Sequence, residues 1–193
     1  MKIFENLWEM KKVYAEKIFL VSSFTLLLGL LAQIRIPLPF TPVPITLQTF
    51  GILIIGYYLG SKLGALSIML YLLLGALGVP FFSGLKGGLL ALSGPTGGYL
   101  FGFIAGAYLV GKAKELGYFT KLRNVFFIGL LTHFIIYFFG TVWFISIFHG
   151  LGKTLSEILT LTVFPFVIPD LFKTLLFVGF VASDNKMRKV IKK

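Results

Sequence analysis

The chain has 193 residues, of which 57% are hydrophobic, 22 are glycine, none is cysteine and only 13% are charged, about half the charged share of soluble domains. So much apolar surface cannot be buried in one water-facing globule of this length, which excludes an ordinary soluble enzyme and makes lipid the solvent. The net charge of +11 sits in short basic clusters between apolar runs, a topogenic pattern rather than a nucleic-acid face, and the lack of cysteine excludes disulfides, thiolate metal sites and thiol catalysis.

In chain order, Met1 to Lys17 is charged and amphipathic. It reads as a short interfacial helix rather than a cleavable leader, with Leu7, Trp8 and Val13 towards lipid and its lysines towards headgroups. Beyond it, charged residues bound uncharged stretches of 17 residues (Lys17 to Arg35), 26 (to Lys62), 23 (to Lys86), 25 (to Lys112) and 29 (Arg123 to Lys153). Each can hold a helix of about 17–25 residues that crosses the hydrocarbon. The last apolar stretch, about Ile158 to Ser183, is long enough too but carries Asp170 and Lys173. The expected fold is an all-α integral membrane protein with six transmembrane helices. It forms one membrane domain: an N-terminal segment 1–17, a six-helix bundle 18–183 and a basic tail 184–193. An even number of spans puts both termini on one side. That side carries 14 basic residues against 4 on the other, so both termini are expected in the cytoplasm.

Helix breakers concentrate in two connections. Pro37, Pro39, Pro42 and Pro44 lie between spans one and two, where four prolines in so short a segment cannot be helical. The connection from Val79 to Tyr99 is long, apolar and Gly-rich. Apolar, non-helical backbone at a membrane is tolerated only where it packs on protein or lines a cavity. Both connections belong to the outer side and are expected as lids that cap a ligand pocket there.

Asp170 and Lys173 fall at the same outer end. At i and i+3 they share a helix face and can pair, either as a self-neutralised anchor or as a pair that faces a polar ligand. Ser93-Gly-Pro-Thr96-Gly-Gly-Tyr99 opens span four, and backbone N–H groups at such a helix start suit a carboxylate or a carbonyl oxygen. The spacing of Gly98, Gly102 and Gly106 reads as a packing ridge. His133 lies alone in span five and reads as a hydrogen-bonded core histidine, and His149 as interfacial. Arg35 either snorkels to headgroups or supplies an anion-binding charge. Gly150-Leu-Gly-Lys153-Thr154 imitates a phosphate loop, but the first glycine of that motif would fall at Ile147. With no hydrolase or zincin motif either, an enzyme is poorly supported.

Several segments together resemble one family. Ile36-Pro-Leu-Pro39, Pro42-Val-Pro-Ile-Thr-Leu-Gln48, Leu59-Gly-Ser-Lys-Leu-Gly-Ala65, Leu70-Tyr-Leu-Leu-Leu-Gly-Ala-Leu-Gly-Val-Pro80, Gly94-Pro-Thr-Gly-Gly-Tyr-Leu-Phe-Gly-Phe103 and Pro165-Phe-Val-Ile-Pro-Asp170-Leu-Phe-Lys173 resemble the BioY family, the biotin-binding components of energy-coupling-factor transporters. The resemblance runs from about residue 18 to 183. It implies a subunit in the cell membrane of a prokaryote that captures biotin from outside, needs no cofactor, and docks on a membrane coupling protein that carries two cytoplasmic ATPases.

The resemblance also implies a site. Asp170 and Lys173 match the family's acidic and basic binding positions, and Thr96, Gly97, Gly98 and Tyr99 match its Gly-rich turn. Asp170 is expected to take the ureido N–H groups and Lys173 the carboxylate, with Gln48, Ser83 and Trp143 as wall residues; the reverse, with the ring deep and the carboxylate on loop backbone or Arg35, stays open. Where family members often carry Ala-x-x-x-Ala to meet the coupling protein, this chain has Thr25-x-x-x-Gly29. A self-sufficient transporter or facilitator of a small vitamin-like acid is the competing reading.

Overall fold

The structure is a computed structural model that describes residues 2–147, 152 and 154–191; His149 and Lys153 lie outside them. Its elements in order are α1 (Lys2–Leu31), β1 (Arg35–Leu38), β2 (Thr41–Thr46), α2 (Gln48–Ala76), α3 (Leu89–Leu92), α4 (Gly97–Glu115), α5 (Leu122–Ile147), α6 (Leu155–Thr162) and α7 (Phe164–Ile191). Met10–Leu31, Gln48–Ala76, Leu122–Ile147 and Leu155–Met187 are long and apolar enough to cross a bilayer.

α1 and α7 each run straight through a boundary expected from the sequence. Residues 2–17 are continuous with the first span, and residues 184–191 continue α7. Lys-rich sequence sets where a helix leaves the hydrocarbon, not where it stops being a helix. On α1 the buried positions Val21, Thr25 and Leu28 recur every three or four residues and face α2, whereas Trp8 and Val13 are exposed.

α2 is two antiparallel arms rather than one rod. At Gly60 the backbone takes φ 77° and ψ −176°, a left-handed-side conformation open to glycine, and the chain reverses. Gln48 Nε2 donates 2.9 Å to the hydroxyl of Tyr71, two residues almost equally far from the reversal. Glu115 at the end of α4 holds the turn, accepting from the backbone N–H of Ser61 and from its hydroxyl, each at 2.8 Å. With the two arms taken separately, the described helices are roughly consistent with the six expected, although each arm of α2 is shorter than a full crossing.

Small residues set the helix spacing. A β-carbon on Gly56 would lie 2.6 Å from the carbonyl oxygen of Ala107, and on Gly106 3.1 Å from Thr132 Cγ2. The Gly98, Gly102, Gly106 ridge therefore lets α4 sit against α5 as closely as backbone allows. Two apolar clusters fill the bundle, one around Ile52, Tyr71, Phe103 and Ile136 and one around Tyr57, Phe119, Phe177 and Val181.

The four-proline connection is a two-stranded antiparallel hairpin, with Arg35 opposite Thr46 and Ile36 opposite Ile45. Proline removes helix as an option, and β-branched Val43, Ile45 and Thr46 favour the extended form. Each strand has a single neighbour, so it has an outer edge where a missing N–H removes no ladder bond. The hairpin is pinned to α6 by Thr41, whose hydroxyl donates 2.8 Å to the carbonyl of Leu161. The second lid carries α3 and a narrow loop closed by the Phe82 and Lys86 bridge, and Gln33 at the end of α1 ties it down. Its Nε2 donates to the carbonyls of Phe81 and Phe82 at 3.3 Å each, and its Oε1 accepts from Leu85 N–H at 2.9 Å.

Candidate binding site

Pro169 inside α7 cannot donate to the carbonyl one turn back, which loosens the helix just before Asp170. From the next turn, Lys173 Nζ donates 2.6 Å to Asp170 Oδ1. The same ammonium donates 2.9 Å to Thr49 Oγ1 and 2.6 Å to the carbonyl of Thr46, so its three N–H groups are all used. Asp170 Oδ1 also accepts from Thr49 Oγ1 at 2.8 Å, and Oδ2 accepts from Tyr137 at 2.6 Å. The network joins α2, α5 and α7 and satisfies two charges that burial would otherwise penalise by several kcal/mol each.

This network forms one wall of a cavity of about 560 Å³, mouth included, whose other lining is largely apolar: Val43, Ile45, Phe82, Leu100, Phe103, Ile136 and Phe166. Gln48, Thr96, Tyr99 and Ser83 line it too. Gln48 donates one amide N–H to Tyr71, and its Oε1 accepts from the Thr46 hydroxyl at 3.3 Å. The hydroxyl of Tyr99 donates 2.7 Å to the carbonyl of Thr162, and the Ser83 hydroxyl is buried without a hydrogen-bond partner.

Other expected site residues lie elsewhere. Gly97, Gly98 and Trp143 do not line the cavity. Trp143 Nε1 donates 3.0 Å to the carbonyl of Gly94, and a β-carbon on Gly97 would lie 2.9 Å from that nitrogen. The indole clamps the Gly-rich turn from behind, and the glycines are there to admit it. Thr25 and Gly29, expected at the coupling surface, are buried within this chain. The hydroxyl of Thr25 donates 2.9 Å to the carbonyl of Ser67, and a β-carbon on Gly29 would meet the Phe81 ring at 3.0 Å. Small residues that suit a docking surface suit equally a tight contact within the bundle.

Sequence reasoning missed Thr46, Thr49 and Tyr137. Tyr137 lies one turn beyond His133 on α5, and that i, i+4 spacing in an apolar span is the signal that could have found it. His133 is a core histidine, its Nδ1 2.9 Å from the carbonyl of Gly129. Its Nε2 is buried without a hydrogen-bond partner, 3.8 Å from Asp170 Oδ1. Arg35 is exposed at the hairpin base, with its guanidinium lying on Gly84.

A helical bundle of membrane-spanning length, with an apolar chamber roofed by two lids and a hydrogen-bonded ion pair in its wall, defines a membrane-embedded ligand-binding protein. The chain belongs to the BioY family, whose model matches residues 6–191. It is 39% identical over 160 residues to a probable biotin transporter BioY of Pyrococcus horikoshii, covering 82% of this chain and 90% of that one. It is 52% identical to the biotin transporter BioY of Thermotoga maritima over 92 residues, about half of each chain. Among solved structures it matches the S-component for biotin from an ECF-type ABC transporter, with a TM-score of 0.77 and 27% identity over 91% of this chain and 93% of that chain.

Proposed function

We propose that this chain is the biotin-capturing S component of an ECF-type importer, working with a membrane coupling protein and two ATPases. The observation that carries the reading is the roofed chamber with Asp170, Lys173, Thr49, Gln48 and Tyr137 on one wall and aromatic and aliphatic side chains on the rest. Biotin has a compact ureido ring with two N–H donors and a carbonyl, an apolar thiophane and chain, and an anionic end. An apolar cavity with a few placed polar groups suits such a molecule.

The saturation of Lys173 favours the ring-deep orientation. A carboxylate offers about four acceptor sites, and three on Asp170 are taken by Lys173, Thr49 and Tyr137, which leaves room for a ureido N–H. Gln48, in the same wall, has a second amide N–H to offer the ureido oxygen. The carboxylate then lies towards Ser83 and the lids. With the 14-to-4 basic asymmetry putting both termini in the cytoplasm, the chamber opens outward in the plasma membrane.

Calorimetric titration of biotin into the purified chain tests capture. Uptake into liposomes that requires the coupling protein and ATPases supports the importer, and uptake by the chain alone would replace it with a facilitator.

A further inference from the structure

Beside the chamber lies a second cavity, about 700 Å³ with its mouth included, that shares Pro44, Phe82, Ser83 and Thr96 with the first. Its remaining walls are Arg35, Pro37, Leu38, Thr41, Pro42, Lys86 and Ala91, so it carries two cations and no acidic residue. Neither cation forms a salt bridge among the described residues. We propose that this vestibule is the subsite for the ligand's anionic tail, with Arg35 and Lys86 as the residues that select a free carboxylate over its uncharged derivatives.

Three further observations point the same way. The deep cation is spent, since Lys173 already donates to Asp170, Thr49 and Thr46, and an anion drawn to it would have to displace one of them. The buried, unpartnered Ser83 hydroxyl stands in the wall common to both cavities, where a tail passing from one to the other meets it. The two cations also stand on the two lids themselves. The guanidinium of Arg35 lies on Gly84, where a β-carbon would fall 2.6 Å from Nη1 and where φ is +78°. Lys86 sits on the loop closed by its own backbone bridge to Phe82 and tied by Gln33 to α1. The inference rests on the biotin reading and assigns the discrimination between acid and amide to residues outside the buried ion pair.

The test is titration of biotin and biotin amide against the full chain and against Arg35→Gln, Lys86→Gln and the double variant, with Lys62→Gln, at the opposite end, as the charge control. Both cations are exposed, and exposed charge pairs contribute little each. Biotin should therefore weaken about 2–5-fold in each single variant and roughly 10-fold in the double. The amide should bind all five proteins alike, and the salt dependence of biotin association should flatten in the double variant. An acid-to-amide ratio in the double variant equal to that of the unaltered chain would overturn the subsite while leaving the biotin reading intact. An amide weakened as much as biotin would overturn it too, by showing that the cations only hold the loop. Failure of the unaltered chain to bind biotin would remove the reading itself and the inference with it.

Discussion

Lys173 and Asp170 meet at 2.6 Å one helical turn apart, with side chains only 9% and 5% exposed. A pair this buried is asymmetric under mutation. Asp170→Asn leaves an ammonium without its counter-charge and should cost about 3–5 kcal/mol of stability, read as a lower melting temperature in detergent. It should also weaken biotin at least about 10-fold through loss of a charged acceptor. The double change Asp170→Asn with Lys173→Met should recover most of the melting temperature but not the binding. Recovery of both would mean the pair is structural only.

Tyr137→Phe removes one of the donors on Asp170 without changing ring packing. A hydrogen bond to a charged group contributes about 1.5–3 kcal/mol, so biotin affinity should fall about 10-fold or more. Thr141→Val, on the same helix and bonded to Thr162 rather than to the pair, should change affinity far less. Equal effects in the two variants would count against a specific role for Tyr137.

Gln33 holds the second lid through Phe81, Phe82 and Leu85 without touching the chamber. Gln33→Ala should therefore act on escape more than on capture, with biotin dissociating about 10-fold faster while association stays within about 3-fold. Stopped-flow kinetics separate the two rates, and a change confined to association would refute the latch.

Gly111 abuts the reversal of α2, where a β-carbon would lie 2.6 Å from the carbonyl oxygen of Gly60. Backbone cannot swing aside as a side chain can, so Gly111→Ala should cost about 1–3 kcal/mol. Because the contact is at the end of the bundle away from the chamber, the folded fraction should keep its affinity for biotin within about 2-fold. Thermal melting and calorimetry on the same sample check both parts.

Orientation is open to chemical labelling. Lys86→Cys, on the lid, should react with an impermeant thiol reagent added to intact cells, whereas Lys121→Cys, in the turn before α5, should react only after lysis. Reversed labelling would put the chamber on the cytoplasmic side.

The crossings are legible because charge is so scarce that every Lys or Arg punctuates the chain, and the tight reversal shows in Gly60-Ser-Lys62. The pairing of Asp170 with Lys173 is legible for the same reason, since two charges in an apolar run have to be explained. Thr46, Thr49 and Tyr137 are not, because a neutral hydroxyl enters an apolar span at small cost and leaves no mark in composition. Thr25, Gly29, Gly97 and Gly98 are ambiguous in the opposite sense. A small residue announces a close approach but not what approaches, and here it is Ser67, Phe81 and the Trp143 indole. The hairpin is half legible: its prolines say what the segment cannot be, and only its pairing with Arg35 and Ile36 says what it is.

Those prolines matter again when the roof lifts. A two-stranded ribbon freed from α6 would ordinarily offer two open edges, and in a crowded bilayer neighbouring copies could zip together strand to strand. With Pro37, Pro42 and Pro44 in the strands, the outer amides needed for such a zipper are missing at successive positions. A lid that left its seat would therefore not become adhesive, and the composition that forbids a helix also keeps each molecule's roof its own.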